Sequence, residues 1–154
     1  MLVKYFYILI ISAIPFIELR GAIPVSQILK LPLYSSIIVS IIGNILPIPF
    51  VYFFAKKILE IGKEYKYIGK IFKKILDKGH KAGEKIISKS GNGFFLALFL
   101  FVAIPLPGTG AYSGMLAASL LDIDFKKSFF SIFLGIIIAG FIVAIITYFF
   151  KAAI

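Results

Sequence analysis

The chain has 154 residues, 60% of them hydrophobic, and a formal net charge of +10. Soluble domains are usually about 45–50% apolar, so this composition, with a mean hydropathy of +1.02, indicates a protein whose solvent is lipid. There is no cysteine and only one histidine, which excludes a disulfide framework and a thiolate metal site and argues against histidine-based metal chemistry. We therefore predict no metal site and no cofactor.

The first segment, residues 2–33, predicts a re-entrant helical hairpin. Its apolar arm starts at Leu2 and meets Pro15 after about a dozen residues, and a second short arm follows the break. At the helical rise, each arm covers about 18 Å, roughly half of a bilayer's hydrocarbon core. Pro15, Gly21 and Pro24 mark the break. Broken backbone at membrane depth is tolerated where it lines a cavity, so we expect the break to line one.

A full transmembrane helix is predicted over residues 35–55, because about 20 apolar residues cross a bilayer. Asn44, Pro47 and Pro49 fall inside it. The prolines suggest a kink, and we expect Asn44 to face the protein interior. Residues 1–55 thus form a first structural unit.

Residues 56–92 form a basic connector, with eleven lysines and four acidic residues between Lys56 and Ser90. Its apolar residues recur at spacings of three and four, which predicts an amphipathic helix. Such a helix can lie on anionic headgroups or fold back on the protein, and the sequence leaves both open. With the connector in the cytoplasm, thirteen lysines lie inside and three outside, as the positive-inside rule expects. Topology therefore explains the charge better than nucleic-acid binding does.

Residues 93–154 repeat this organisation. They predict a second re-entrant hairpin over 93–121, broken at Pro105 and Pro107, and a transmembrane helix over 128–150. The corresponding motifs lie 89 to 96 residues apart: Ile14-Pro15 with Ile104-Pro105, Gly21-Ala22 with Gly110-Ala111, Gly43 with Gly135, and Tyr52-Phe53-Phe54 with Tyr148-Phe149-Phe150. One crossing per half inverts the second copy, an arrangement that is typical of transporters. We predict an all-α integral membrane protein built as an inverted repeat of two re-entrant hairpins, each followed by a transmembrane helix.

Glu18 and Arg20 are the charged residues of the first break. A charge at the bilayer centre costs about 2.5–3.5 kcal/mol on insertion scales, so embedded charges usually line a pathway. Gly21 and the prolines favour an extended segment, on which residues two apart share a side. Arg20 then offers a planar fork to a phosphate or carboxylate, and a dehydrated Glu18 could take up a coupling proton. Alternatively, the pair merely neutralises the loop, or Leu2 to Ile17 crosses completely and both charges reach water.

The second break has no charge but offers the Thr109 hydroxyl and the free amides of Gly108 and Gly110. Backbone amides beside a helix N-terminus can hold an anion. The break is not a nucleotide-binding loop, since the Lys-Ser/Thr ending is missing, and its small residues also suit close helix packing. The predicted substrate and proton pathway comprises Glu18, Arg20, Asn44, Gly108, Thr109, Gly110 and Tyr112.

Two motifs resemble those of the small multidrug export protein family, which is related to the DedA superfamily (SNARE-associated, VTT domain). They are Pro-Phe-Ile-Glu-Leu-Arg-Gly-Ala-Ile-Pro at 15–24 and Pro-Leu-Pro-Gly-Thr-Gly-Ala-Tyr-Ser-Gly at 105–114. The resemblance covers nearly the whole chain and implies inverted re-entrant hairpins that meet near the midplane. Its DedA-type relatives imply proton-linked translocation of lipid phosphates, with Glu18 and Arg20 as the matching acid and arginine. The further arginines of DedA second halves are missing here.

We therefore expect a multi-pass protein of the cell membrane and not an enzyme. The first hypothesis is a DedA-like, proton-coupled transporter or flippase of an amphipathic anion such as a lipid or polyprenyl phosphate. The alternative is an exporter of small cations with Glu18 as counter-ion, and the least favoured is a lipid pyrophosphatase. Membrane lipids and a proton are the other expected partners, without nucleic acid. A homodimer is expected because two crossings shield a polar pathway poorly.

Overall fold

The structure is a computed structural model that describes residues 1–65, 69–71, 73–74, 77, 93–106 and 108–152. These residues form helices and turns without any strand, which confirms the all-helical prediction for this part of the chain. The helices whose bounds the structure describes are α1 (Leu2–Ala13), α2 (Glu18–Ile28), α3 (Leu33–Ile45), α4 (Ile48–Gly62), α5 (Gly93–Ala103), α6 (Ala111–Leu120) and α7 (Phe125–Ala152).

Among the residues that the structure describes, two helical stretches are long and apolar enough to cross a membrane, Leu33–Gly62 and Phe125–Phe150. They contain the predicted crossings 35–55 and 128–150. The first stretch consists of α3 and α4, which are separated by a turn at Leu46 and Pro47. A proline inside a helix removes a backbone donor and clashes with the preceding turn, so the interruption falls where the sequence predicted a kink.

Most of the predicted connector, 56–92, lies outside the described residues. Helix α4 extends into it as far as Gly62, and α5 begins just after it at Gly93. The residues that would distinguish a connector on the membrane surface from one packed on the protein lie outside the described residues.

Helices α1 and α2 pack against each other as a short hairpin. The connecting turn spans residues 14–17, and helix resumes at Glu18. This corrects the prediction of an extended segment across Glu18 and Arg20, because both residues begin α2 and Pro24 lies inside it. Phe16 of the turn (φ 71°) and Glu18, the first residue of α2 (φ 53°), adopt left-handed backbone conformations although neither is glycine. Such residues cost about 1–3 kcal/mol each and persist only where the surroundings enforce them.

The end of the second hairpin (α5 and α6) that lies away from its turn is near the start of α7. The Ser131 hydroxyl of α7 donates a hydrogen bond to the Phe95 carbonyl at 2.6 Å, which places the first turn of α5 beside the second turn of α7. The Tyr52 hydroxyl of α4 donates to the Ile123 carbonyl at 2.7 Å. Helix α4 therefore runs beside the segment that connects α6 and α7.

The first hairpin opens at the other end of the bundle. The Lys4 ammonium donates to the Leu29 carbonyl at 3.0 Å, so the start of α1 lies beside the end of α2. A Cβ atom at Gly140, in the second half of α7, would lie 3.6 Å from Ile41 of α3. The α3–α4 stretch thus runs antiparallel to α7, and the two hairpins point towards each other from opposite ends.

Corresponding glycines make corresponding contacts in the two halves. A Cβ atom at Gly43 of α3 would overlap the Leu9 carbonyl of α1, and one at Gly135 of α7 would lie 3.0 Å from the Phe99 carbonyl of α5. Small residues allow helix backbones to approach this closely in membranes. Gly43 and Gly135 are 92 residues apart and Leu9 and Phe99 are 90 apart, so both helix crossings use matching positions.

The main core joins the two halves. Its largest fully buried side chains come from α2, α4, α5, α6 and α7: Leu19, Ile23, Ile48, Val102, Met115, Ile132 and Ile136. A smaller cluster around Ile8 and Ala22 packs α1 on α2. The core thereby fixes the first residues of α2 against the second half of the chain, and those residues include Glu18 and Arg20.

Candidate functional site

The turns of the two hairpins meet, and Arg20 is the main link between them. Its Nη1 donates hydrogen bonds to the carbonyls of Leu106, at 2.6 Å, and Thr109. Its Nη2 donates to the Thr109 hydroxyl at 3.1 Å and, at 3.4 Å, to the carbonyls of Val102 and Ile104. The last carbonyls of a helix lack partners within it and favour a nearby cation. Arg20 therefore caps the carboxyl end of α5 and the turn that follows.

Glu18 makes the complementary contact. Its side chain is only 5% exposed, and Oε1 accepts a hydrogen bond from the Tyr112 amide at 3.3 Å. A Cβ atom at Gly110 would lie 2.5 Å from Oε2 and 2.6 Å from Oε1. The carboxylate therefore sits at the N-terminus of α6, where backbone amides and the helix dipole attract an anion. At this place the sequence left two alternatives open, an anion-binding site and close helix packing.

Tyr112, in the second hairpin, caps a helix of the first hairpin. Its hydroxyl donates a hydrogen bond to the carbonyl of Ala13, the last residue of α1. A residue of α6 thus caps α1, as Arg20 of α2 caps α5. Each hairpin satisfies backbone groups that the turn of the other leaves without partners.

Thr109 and Gly108 shape the second turn. The Thr109 Oγ1 lies 2.8 Å from the Ile104 carbonyl and 2.9 Å from that of Leu106, to one of which it donates its proton. It also accepts the Leu106 amide at 3.2 Å. Gly108 has φ +81°, a conformation that glycine adopts without steric cost. Both residues therefore stabilise the second turn in the conformation whose oxygen atoms accept hydrogen bonds from Arg20.

A cavity of about 870 Å³ opens beside the junction of the turns. Its polar lining comes from five residues of the two hairpins: Glu18, Arg20, Thr109, Tyr112 and Ser113. Its apolar wall is one face of α4, formed by Phe50, Phe54 and Ile58 at a spacing of four residues, together with Phe16 of the first turn. The cavity thus has a polar floor between the turns and an aromatic, apolar wall.

The structure brings most of the predicted pathway together. Glu18, Arg20, Gly108, Thr109 and Tyr112 line the cavity, and Gly110 lies against the Glu18 carboxylate. Asn44 is not part of the lining. It is buried in α3, and its Oδ1 has no hydrogen-bond partner in the described part of the chain.

The predicted break residues have different positions. Pro15 and Pro105 line the cavity, whereas Gly21 and Pro24 lie within α2. Pro107 lies outside the described residues. The sequence reasoning missed the α4 wall, although Phe50, Phe54 and Ile58 have helical spacing.

In the described part of the chain, no group of three His, Cys, Asp or Glu side chains could hold a metal ion.

A family model described as "Putative small multi-drug export protein" matches residues 18–142. No curated protein and no solved structure matches the chain. The match bears out the resemblance to the export family and does not extend to the DedA superfamily.

Proposed function

The chain belongs to the small multi-drug export protein family, and we propose that it is a proton-coupled transporter of the cell membrane, with its substrate site between two re-entrant hairpins. The two crossing stretches and the family support a membrane location. The hairpins approach from opposite ends and their turns meet. The matching contacts of Gly43 and Gly135 support an inverted repeat, the architecture in which transporters bind substrates near the midplane.

The proposed substrate is an amphipathic organic anion, such as a lipid phosphate or a polyprenyl phosphate. The cavity volume of about 870 Å³ is within the range of about 300–1,000 Å³ that is usual for small-molecule sites. Its floor is polar and its α4 wall is apolar, which suits a charged head joined to an apolar body.

The observation that supports anion transport most directly is the Glu18 carboxylate at the N-terminus of α6. Glu18 occupies a natural anion site next to Thr109 and Arg20. When Glu18 takes up a proton, it loses the charge that attracts it to the helix N-terminus. The anionic head of a substrate can then replace it at the amides of α6. One proton and one anionic head therefore enter the site together, because protonation of Glu18 makes room for the anion.

A second candidate is export of lipophilic cations, and the aromatic wall favours it. Phe16, Phe50 and Phe54 line the cavity, and aromatic faces attract cations by about 0.5–2 kcal/mol. A cation would pair with Glu18 directly. In this mode the proton competes with the substrate, so a high proton concentration on the substrate side inhibits uptake instead of promoting it.

The test is transport into proteoliposomes of a labelled polyprenyl phosphate and, separately, of a lipophilic cation, with and without a pH gradient. We expect uptake of the phosphate, accelerated when the substrate side is acidic. Glu18→Gln cannot change its charge, so its phosphate uptake should no longer respond to the gradient. Glu60→Gln is the matched control, since Glu60 is exposed on α4 and should behave as wild type.

The outcomes separate the hypotheses. Movement of the cation without the phosphate would reject anion transport in favour of cation export. A Glu18→Gln protein that responds to the gradient as strongly as wild type would reject Glu18 as the proton-carrying group.

A further inference from the structure

Helix α3 carries a stripe of polar side chains that are shielded from the surface. Ser36, Ser40 and Asn44 recur at every fourth position, which places them on one face of the helix, and none of them is more than 1% exposed. The Ser36 hydroxyl donates to the Pro32 carbonyl at 2.8 Å. Ser40 Oγ and Asn44 Oδ1, by contrast, have no hydrogen-bond partner among the residues that the structure describes. Buried polar atoms are nearly always paired with protein, water or an ion, so these two oxygen atoms need a ligand.

The two oxygen atoms lie where two helices end. A Cβ atom at Gly43 would overlap the Ser12 hydroxyl and the Leu9 carbonyl of α1, so the last turns of α1 and α3 are in direct contact. Helix α1 ends at Ala13 and α3 ends at Ile45. The C-terminus of a helix carries about half of a negative elementary charge. Two partly negative helix ends therefore meet at this crossing.

The same crossing offers two further oxygen atoms. Pro47 has no N–H, so it cannot donate the helical hydrogen bond to the Gly43 carbonyl. Gly43 is three residues from Ser40 and is therefore its neighbour on the helix surface. Ser12 Oγ donates its proton to a carbonyl of its own helix at 2.9 Å and keeps the lone pairs of a hydroxyl oxygen. These atoms belong to the same contact between α1 and α3.

We propose that one Na⁺ ion binds at the crossing of α1 and α3, to four neutral oxygen atoms: Ser12 Oγ, Ser40 Oγ, the Gly43 carbonyl oxygen and Asn44 Oδ1. Hard cations take oxygen ligands, and transporters hold coupling ions at the C-terminal ends and free carbonyls of interrupted helices. A divalent ion would want carboxylate ligands, and the close packing at the crossing favours Na⁺ over the larger K⁺. The sequence predicted no metal site because it was judged on cysteine and histidine.

The neighbouring donors leave the negative charge of these helix ends in place. Arg20 directs both Nη atoms at the second turn, and the Tyr112 hydroxyl, which caps the Ala13 carbonyl, is neutral. A water molecule can donate to Asn44 Oδ1 but brings no charge to the crossing. A sodium ion pairs with the oxygen atoms and also neutralises the helix ends. The four ligands are not part of the cavity lining, so this site is additional to the proposed substrate site.

The test measures Na⁺ binding to the purified, full-length protein in detergent. The melting temperature is recorded against NaCl concentration, with choline chloride keeping the ionic strength constant, and KCl serves as the parallel series. Equilibrium binding of radioactive Na⁺ is measured on the same samples. We expect a saturable rise of the melting temperature in NaCl that KCl does not reproduce. We also expect one bound radioactive ion per chain, displaced by unlabelled NaCl.

Asn44→Leu and Ser40→Ala each remove one proposed ligand. Both replacements suit a helix, and each removes a buried oxygen atom that lacks a partner in the described chain, so we expect both proteins to fold. Even a group that only supports a metal ligand contributes about 10–100-fold to metal affinity, so each variant should bind Na⁺ at least tenfold more weakly. Ser36→Ala is the matched control. It removes a hydroxyl from the same stripe, but that hydroxyl is bonded to Pro32, and its Na⁺ affinity should equal that of wild type.

Two results would overturn the proposal. If NaCl, KCl and choline chloride stabilise wild type equally and no radioactive Na⁺ binds, water occupies the crossing. If Na⁺ binds to Asn44→Leu and Ser40→Ala as tightly as to wild type, the ion binds elsewhere. Should one variant fail to fold, the other variant and the wild-type series still decide. No readout here involves transport, so failure of this proposal would leave proton-coupled transport at Glu18 untouched.

Discussion

Gly110→Ala should separate the two hairpins at one defined contact. Gly110 has φ 166° and ψ −179°, an extended conformation that alanine adopts without strain. The added Cβ would lie 2.5 Å from Oε2, 2.6 Å from Oε1 and 2.8 Å from Cδ of Glu18. Real carbon and oxygen atoms do not approach so closely, so the carboxylate must leave the N-terminus of α6.

The expected loss follows from what that carboxylate does. A side chain that caps a helix N-terminus contributes about 0.5–2 kcal/mol, and a negative charge there contributes up to about 2 kcal/mol in partly buried settings. These two figures describe largely the same interaction. We therefore expect Gly110→Ala to lower the free energy of unfolding by about 0.5–2 kcal/mol.

A double-mutant cycle with Glu18→Ala isolates this interaction. The four proteins are unfolded by heat and by denaturant in one detergent. Since Glu18→Ala removes the atoms that the new methyl group meets, Gly110→Ala should cost little in that background. The predicted coupling energy is about 1–2 kcal/mol, within the usual range for residues in contact.

Gly108→Ala is the matched control. A Cβ atom at Gly108 meets nothing within 4 Å, but its φ of +81° is unfavourable for alanine, so we expect a loss of about 1–2 kcal/mol that is independent of Glu18. If Gly110→Ala costs the same with and without the Glu18 side chain, the carboxylate does not occupy the N-terminus of α6 and the reasoning is refuted.

Two further predictions concern helix ends and helix crossings. Tyr112→Phe removes the hydrogen bond to the Ala13 carbonyl and should lower the free energy of unfolding by about 0.5–1.5 kcal/mol. The control, Tyr148→Phe, changes a residue that is 63% exposed and should leave the melting temperature unchanged. Equal melting temperatures for the two variants would argue against the cap. Gly135→Ala puts a Cβ 2.8 Å from that of Val102 and should cost about 1–3 kcal/mol by overpacking. The control, Gly140→Ala, makes contacts of 3.6 Å or more and should leave the free energy of unfolding unchanged or raise it by up to about 1 kcal/mol. A larger loss of stability from Gly140→Ala than from Gly135→Ala would contradict the predicted crossing of α5 and α7.

Local features made the crossings and the positions of the turns predictable. Apolar length identifies the stretches that contain 35–55 and 128–150, and proline with glycine identifies a break that starts near Pro15 and another near Pro105. Both signals act over a few residues, so neither depends on the rest of the fold. The start of α2 was not predictable in this way. Its first residue, Glu18, has a left-handed backbone and its carboxylate contacts Tyr112, which is 94 residues away in sequence.

The α4 wall of the cavity shows a second limit. Phe50 and Phe54 lie on one helical face, but nearly every neighbour of these two residues is also apolar. In lipid, a face that lines a cavity and a face that meets acyl chains have the same composition, so periodicity cannot tell them apart. Asn44 shows the converse case. A lone polar residue in an apolar helix predicted burial correctly, but it did not indicate which buried surface it would meet.

The spacing of Glu18 and Arg20 matches the electrostatics of the second hairpin. Helix α5 ends with unpaired carbonyls and α6 begins with unpaired amides, so one break presents a partly negative end and a partly positive end. Arg20 contacts the first and Glu18 the second. The uncharged second break thus receives both of its counter-charges from the first hairpin.

This pairing leaves the site without a spare charge, which constrains any transport mechanism. Arg20 directs both Nη atoms at oxygen atoms of the second turn, and Glu18 is engaged by an amide of α6. An ionic substrate must therefore displace one of these contacts to gain a partner. Displacing Arg20 breaks several hydrogen bonds at once, whereas protonation of a single carboxyl group releases Glu18. In the proposed mechanism, proton uptake at Glu18 is therefore the least costly way to open the site, and the proposal predicts that substrate affinity changes with pH in wild type but not in Glu18→Gln.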